Sequence, residues 1–292
     1  MCLIVVAWQA HPDFPLVVAA NRDEFYERPT QDAEPWPEAP HIIAGRDLQA
    51  GGTWMGISTS STTRRFAAIT NVREPGVPKG ELSRGGLTRD FLLGDQSAET
   101  FLAGIDNSRY SGYNLLLSDG REFWYQSNRH GLEMKTPAMK AMPVSLSPAP
   151  SPAASGRGEI RAPLRDAHNI CDGGPRCLKP GIYAVSNHLL DTPWPKLVSA
   201  RSRFAAALPK LPEREDLFAI LADDEIVPDH ELPQTGVPLD WERLLSAIFV
   251  KSDDYGTRAS TVLVCDKNGG VKLEERRFGV RGAPLGKAQF QG

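Results

Sequence analysis

Cys2 stands directly behind Met1 and heads the apolar run "CLIVVAW". Removing Met1 would place a thiol and a free amine on one residue. Such an amine has a reference pKa of ~7.7–8.0, low enough to take a proton near neutrality, and the thiolate is the nucleophile. Polar residues further along fit the same chemistry. A guanidinium such as that of Arg22 would favour the thiolate, and Asp23 would hold the α-ammonium or orient the thiol. The side-chain amides of Asn71 and Asn187 would donate to a tetrahedral oxyanion. Together these groups would cleave an amide or related acyl bond. Each also has a plainer reading. Cys2 can be a small apolar residue opening a buried strand, "NRDE" a turn with solvated charges or an Arg–Asp pair at a strand end, and the asparagines strand terminators.

Positioning these groups requires strands that pair in a particular register. The runs "LIVVAW", "PLVVAA", "TWMGIS", "RFAAIT", "YNLLLS", "GIYAVS" and "TVLVCD" are short, rich in β-branched residues and bounded by turn formers, so they read as strands. The first two are apolar at every position, which predicts strands covered on both faces. A turn centred near Pro12 would set Cys2 opposite Arg22, with Cβ atoms ~5 Å apart. A slip would substitute Asn21 or Asp23. The same count across "TSSTTR" places Gly52 near Asn71. Helical spacing marks "LTRDFLLG", "SAETFLAGI", "WPKLVSARSRFAAAL" and "REDLFAILADD". Ser83 is expected to cap the first of these, leaving Arg84 free to contact an anion, and Asp191 or Thr192 to cap the third. Antiparallel sheets with grouped helices predict an α+β class. "QDAEPWPEAP" reads as a Pro-rich loop, and a Pro/Ser-rich stretch at about 142–158 reads as a mobile insertion within a single domain, 1–292.

Composition narrows the functional classes. The 292 residues carry a net charge of -3 and are 41% hydrophobic, with no basic block, so no nucleic-acid partner is expected. No apolar run approaches the ~20 residues of a membrane span, and no integral membrane segment or secretory signal is expected. The four cysteines are too few for a disulfide framework and fit a cytoplasmic, reducing compartment. Cys171 and Cys177 flank "DGGPR" and read as two free thiols, with a loop clip or metal pair as the sharper alternative. Cys265 reads as a buried strand thiol. The six histidines lack ligand spacing, so neither a metal nor any other cofactor is expected. No P-loop, dinucleotide fingerprint or G-x-S-x-G elbow occurs.

"AANRDEFYERPT", "AGGTWMGIS", "AITNVRE", "SRGGLTRDFL", "YNLLL", "SNHLLDTPWPK" and "YGTRASTVLV" closely resemble the NRDE-motif, or transport and Golgi organisation, family. Behind it lies a resemblance to N-terminal nucleophile hydrolases of the choloylglycine hydrolase and penicillin V acylase type. That resemblance implies a four-layer αββα sandwich. It assigns Cys2 as the processed nucleophile, Asp23 as the Asp of an Asn-x-Asp step, Asn71 and Asn187 as the two asparagines, and Arg258 as the late arginine. Those hydrolases carry Arg-Asn-x-Asp, whereas Ala20 stands at the place of that arginine here. Arg22 would supply the cation one pleat away. Asn21, Trp54, His188 and Arg84 are the candidates for contacting a small-molecule substrate. The rival expectation is a binding or trafficking protein for a small hydrophobic or anionic metabolite, haem- or lipid-related, on the same fold. A lipid attached at Cys2 is a third, which a buried strand would disfavour.

Overall fold

The computed structural model describes residues 2–60, 64–129 and 174–292. Met1, Cys171 and the stretch at about 142–158 lie outside the described residues. The chain opens with two strands, β1 (Cys2–Trp8) and β2 (Leu16–Phe25), followed by β3 (Thr30–Trp36), β4 (Ala39–Asp47), β5 (Met55–Ser58) and β6 (Phe66–Asn71). Helices α1 (Arg84–Leu93) and α2 (Ala98–Ala103) come next, then β7 (Tyr113–Ser118), β8 (Phe123–Ser127), β9 (Arg176–Cys177) and β10 (Gly181–Val185). Three helices, α3 (Pro195–Ala207), α4 (Glu215–Leu221) and α5 (Leu239–Leu244), precede the final strands β11 (Tyr255–Cys265), β12 (Val271–Phe278) and β13 (Pro284–Gln291).

The strands form two antiparallel sheets, of order β10-β1-β2-β11-β12-β13 and β3-β4-β5-β6-β7-β8-β9. The class is α+β, with the sheets stacked as a sandwich. The all-apolar sequence of β1 shows why. Ile4, Val6 and Trp8 enter a core shared with Phe66, Leu116 and Phe123 of the second sheet. Leu3, Val5 and Ala7 face the other way, into a core with Leu197 and Phe204 of α3 and Leu217 of α4. The period of two sends alternate residues into different layers, so both must be apolar. On the outer face of the second sheet, Leu87 and Phe91 of α1 and Leu102 of α2 cover Ile42, Leu115 and Leu117. Four layers result, helix, sheet, sheet, helix.

Two local expectations are overturned. "QDAEPWPEAP" is not a loop: its residues fall in the β3–β4 hairpin, whose pairing shifts register between Gln31 and Glu34 and between Pro35 and Trp36. Proline is tolerated there because β3 is an edge strand and the irregularities spare ladder hydrogen bonds. The expected caps also fail. Ser83 occupies the position before α1 without a side-chain capping bond, and Trp194, not Asp191 or Thr192, immediately precedes α3. Asp191 instead accepts from the Ala184 N–H, and Thr192 Oγ1 lies 2.7 Å from the His188 ring. Pro195 opens α3, where a missing N–H costs nothing.

Candidate active site

Cys2 pairs with Arg22 across the β1–β2 ladder, as the hairpin count predicts. Parity then places both on the inter-sheet side, in line with Ile4 and Ala20. The pairing of β1 with β10 begins only at Ile4, so Cys2 has a strand neighbour on one side alone. Cys2 lines a cleft of about 430 Å³, together with Arg22, Asp23, Trp54, Asn71 and Arg84 among others.

The wall facing Cys2 is built by close backbone approach. Gly52 has φ +89, and an added Cβ would overlap the Gly85 carbonyl at the start of α1. Thr53 N–H donates to that same carbonyl at 3.1 Å, and the Thr88 hydroxyl donates to Thr53 O. The "AGGTW" turn is thereby locked onto α1, which brings Trp54 and Arg84 to the same cleft. A Cβ on Gly45 would overlap the Trp54 ring, so glycine at that position leaves room for the indole against β4. The Arg22 guanidinium lies over the ring, 4.4 Å from its centroid. The Gly52–Asn71 count is right in register, since Met55 pairs with Ala68, but pairing starts at Met55 and Gly52 sits in the turn before it.

Asp23 is buried and accepts from Thr257 Oγ1 at 2.7 Å, with its backbone carbonyl accepting from the Tyr255 hydroxyl. Burial pushes its carboxyl up; Lys196, the Thr257 hydrogen bond and Arg22 pull the other way. Burial likewise pushes the Cys2 thiol up, and the Asp23 charge adds to the effect. Arg22 and a hydrogen bond from the Asp23 backbone N–H oppose this. Arg22 thus acts in the direction of the thiolate, and lost hydration outweighs it. Behind Asp23, buried Lys196 donates to Leu245 O at 2.7 Å, and burial lowers it to about 8, with Arg73 adding to the fall. Arg73 pairs with buried Glu242 at 2.7 Å.

The remaining expected residues divide. Asn71 lines the cleft. Asn187 is buried beside it, donating to the Asn71 carbonyl at 3.0 Å, and is not a lining residue. Ser186 Oγ lies 2.8 Å from Cys2 O and 3.1 Å from Asn187 Oδ1, so one hydroxyl ties Cys2 to this junction. Asn21 turns to the helical side, donating to Leu221 O and Ile248 O at 2.8 and 2.9 Å and accepting from Ser260. It buttresses β2 and does not reach the cleft. His188 is also away from it: Nδ1 faces Thr192, the ring lies 5.9 Å from that of Trp194, and burial lowers its pKa. Arg258 is the extra residue in a β-bulge of β11, between Thr257 opposite Asp23 and Ala259 opposite Arg22. The bulge aims its guanidinium at the carbonyls of Phe25 and Arg28, and it lines a smaller neighbouring cleft with Arg22 and Trp54.

Sequence reasoning passed over Glu24, Arg28, Asp47 and Lys79, which also line the cleft. Glu24 and Arg28 stood within the "NRDEFYERPT" block; nothing in the sequence announced that Arg28 would bind Asp47. Cys177 is exposed on β9 and carries a free thiol, and Cys265 is buried at the end of β11. Among the described residues, no group of three His, Cys, Asp or Glu side chains is placed to hold a metal ion. Among them no helix is long and apolar enough to cross a membrane.

Comparison with known proteins places this architecture. Residues 1–279 match the model of the Transport and Golgi organisation 2 family. The chain is 30% identical to the Transport and Golgi organization protein 2 homologs of Bos taurus and Homo sapiens, over 94% of this chain and 92% of theirs. It is 25% identical to Transport and Golgi organization protein 2 of Drosophila melanogaster, over 96% of this chain and 93% of that one. With the match running from the Cys2 strand through β12, the chain belongs to the Transport and Golgi organisation 2 family.

Proposed function

We propose that this protein is an N-terminal cysteine hydrolase of small amide or acyl compounds, on a fold of the N-terminal nucleophile hydrolase type and acting in the cytoplasm. The supporting observation is the half-buried Cys2 thiol on the cleft floor, opposite Arg22 and hydrogen-bonded by the Asp23 N–H. With Met1 attached, the Cys2 nitrogen is an amide and has no basic lone pair. Removing Met1 supplies the base that a thiol raised by burial requires. The α-amine takes the thiol proton as sulfur attacks the carbonyl carbon. The oxyanion faces the Asn71 amide, with Asn187 holding the Asn71 backbone in place. Collapse breaks the C–N bond as the ammonium returns its proton to the leaving nitrogen. Water, deprotonated by the same amine, then hydrolyses the thioester and regenerates Cys2. No cofactor takes part.

The test is the mature N-terminus by mass spectrometry, followed by a thiol-reactive acyl probe. Loss of Met1 and labelling abolished by Cys2→Ala are expected. Retained Met1, or undiminished labelling in that variant, overturns the reading. A second reading, supported by the Arg22 guanidinium waiting in the cleft and by a thiol held neutral, is a carrier of a small anionic metabolite without turnover. Stoichiometric binding unaffected by Cys2→Ala would support it instead.

A further inference from the structure

The charges around the cleft are unequally committed. Arg28 is paired with Asp47 at 2.7 Å and lies 3.8 Å from Glu24, and Glu81 faces Arg109 at 3.3 Å. Asp23 is hydrogen-bonded by Thr257. Three lining cations remain outside this set. Arg84 donates to a carbonyl, Gly112 O, and forms no ion pair among the described residues; neither does Lys79. Arg22 is 6% exposed, and its Nη1 has no hydrogen-bond partner. A buried guanidinium nitrogen with an empty hydrogen-bonding position carries a desolvation cost that a bound acceptor would relieve. Arg258 increases the demand: it sits close enough for Arg22 to add to the fall in its pKa that burial causes.

The geometry also limits the shape of the acceptor. Trp54 covers one face of the Arg22 guanidinium, so a ligand must meet its edge. An edge-on guanidinium fork matches a planar two-oxygen anion, and a lysine in this place would not. Arg22 and Cys2 are directly opposed on the ladder, with Cβ atoms ~5 Å apart, so the anion and the reacting atom belong to one small molecule.

We infer that Arg22, with Arg84 and Lys79, forms a carboxylate-binding subsite, and that the cleft takes small amides bearing a carboxylate within a few bonds of the carbonyl presented to Cys2. The reacting bond rests on the hydrolase reading above; the anion preference does not, since it requires no turnover.

The experiment compares alkylation by iodoacetate and iodoacetamide, mapped by peptide mass spectrometry at constant ionic strength. Exposed Cys177 in the same chain is the internal reference. The iodoacetate-to-iodoacetamide rate ratio at Cys2 should exceed that at Cys177 by about tenfold, as a focused positive field raises local anion concentration. Arg22→Gln should bring the two ratios together while the circular dichroism spectrum is unchanged. Equal ratios in the unsubstituted protein, or a preference that survives Arg22→Gln, overturn the subsite. Thermal shifts give a second readout that needs no reaction at Cys2. N-acetylglycinate should raise Tm, N-acetylglycinamide should not, and Arg22→Gln should remove the difference. Equal shifts by acid and amide overturn the subsite; inorganic phosphate matching N-acetylglycinate overturns the carboxylate assignment. Failure of Cys2→Ala to affect acyl labelling would sink the hydrolase and leave these results standing.

Discussion

Cys2 and Cys265 are thiols at opposite ends of the same six-stranded sheet, and their surroundings separate them. Cys265 has a strand on each side, with Leu16 and Val271 as partners, and joins the inter-sheet core. Burial pushes it up to about 12. Cys2 pairs with a strand on one side alone, through Arg22, and lines the cleft. Burial raises both thiols and an arginine opposes it in both, Arg22 at Cys2 and Arg64 at Cys265, but Cys2 also meets a backbone N–H donor and space for a second molecule. The difference teaches that strand burial by itself makes a cysteine inert, whereas a strand end that lines a cleft gives a thiol access without surrendering the core.

The largest expected effect tests that contrast directly. Cys2→Ala should abolish acyl-probe labelling, a fall of at least about 100-fold, as loss of a nucleophile does. Cys265→Ala should leave labelling intact and cost about 1–2 kcal/mol in urea unfolding, as removal of a core sulfur does. Next, Gly52→Ala forces a left-handed residue and a clash with the Gly85 carbonyl, so it should cost about 2–3 kcal/mol. It should also lower the iodoacetate-to-iodoacetamide rate ratio at Cys2, because the turn that seats Trp54 shifts. Asn21→Ala should cost about 2 kcal/mol, since the Leu221 and Ile248 carbonyls lose their donor. Its Cys2 alkylation ratio should stay unchanged, whereas Arg22→Gln, one residue on, should do the reverse. The smallest effect is in pH. With its pKa raised from 9.0, the Cys2 thiol is neutral below that value, so its alkylation rate should still climb about tenfold per unit at pH 8–9. Cys265 should stay unmodified over the same range. A plateau for Cys2 at pH 7 would mean that a thiolate already exists there.

Much of the sandwich was legible because its signals are local. β1 and β2 read as doubly covered strands from their unbroken apolar sequence, and the turn near Pro12 set Cys2 against Arg22. The β3–β4 hairpin was missed because its edge position and register shifts, which make proline harmless, are properties of the sheet and not of "QDAEPWPEAP". The site was half legible for a similar reason. Asn21, Arg22 and Asp23 are consecutive and equally polar, and side-chain parity alone sends Asn21 to the helices and Arg22 to the cleft. Arg258 was displaced by a bulge that no residue pattern marks.

The sequence by itself determined the family blocks, the covered hairpin and the nucleophile candidate with its opposite cation, because alternation and turn chemistry act over a few residues. The tertiary structure decided which polar groups face one another. Lys196 and Glu242 come to the back of Asp23 and Arg73 from distant helices, Trp54 shields one face of Arg22, and lost hydration sets the state of the thiol. Those outcomes depend on burial and long-range contact, which arise only when the layers close.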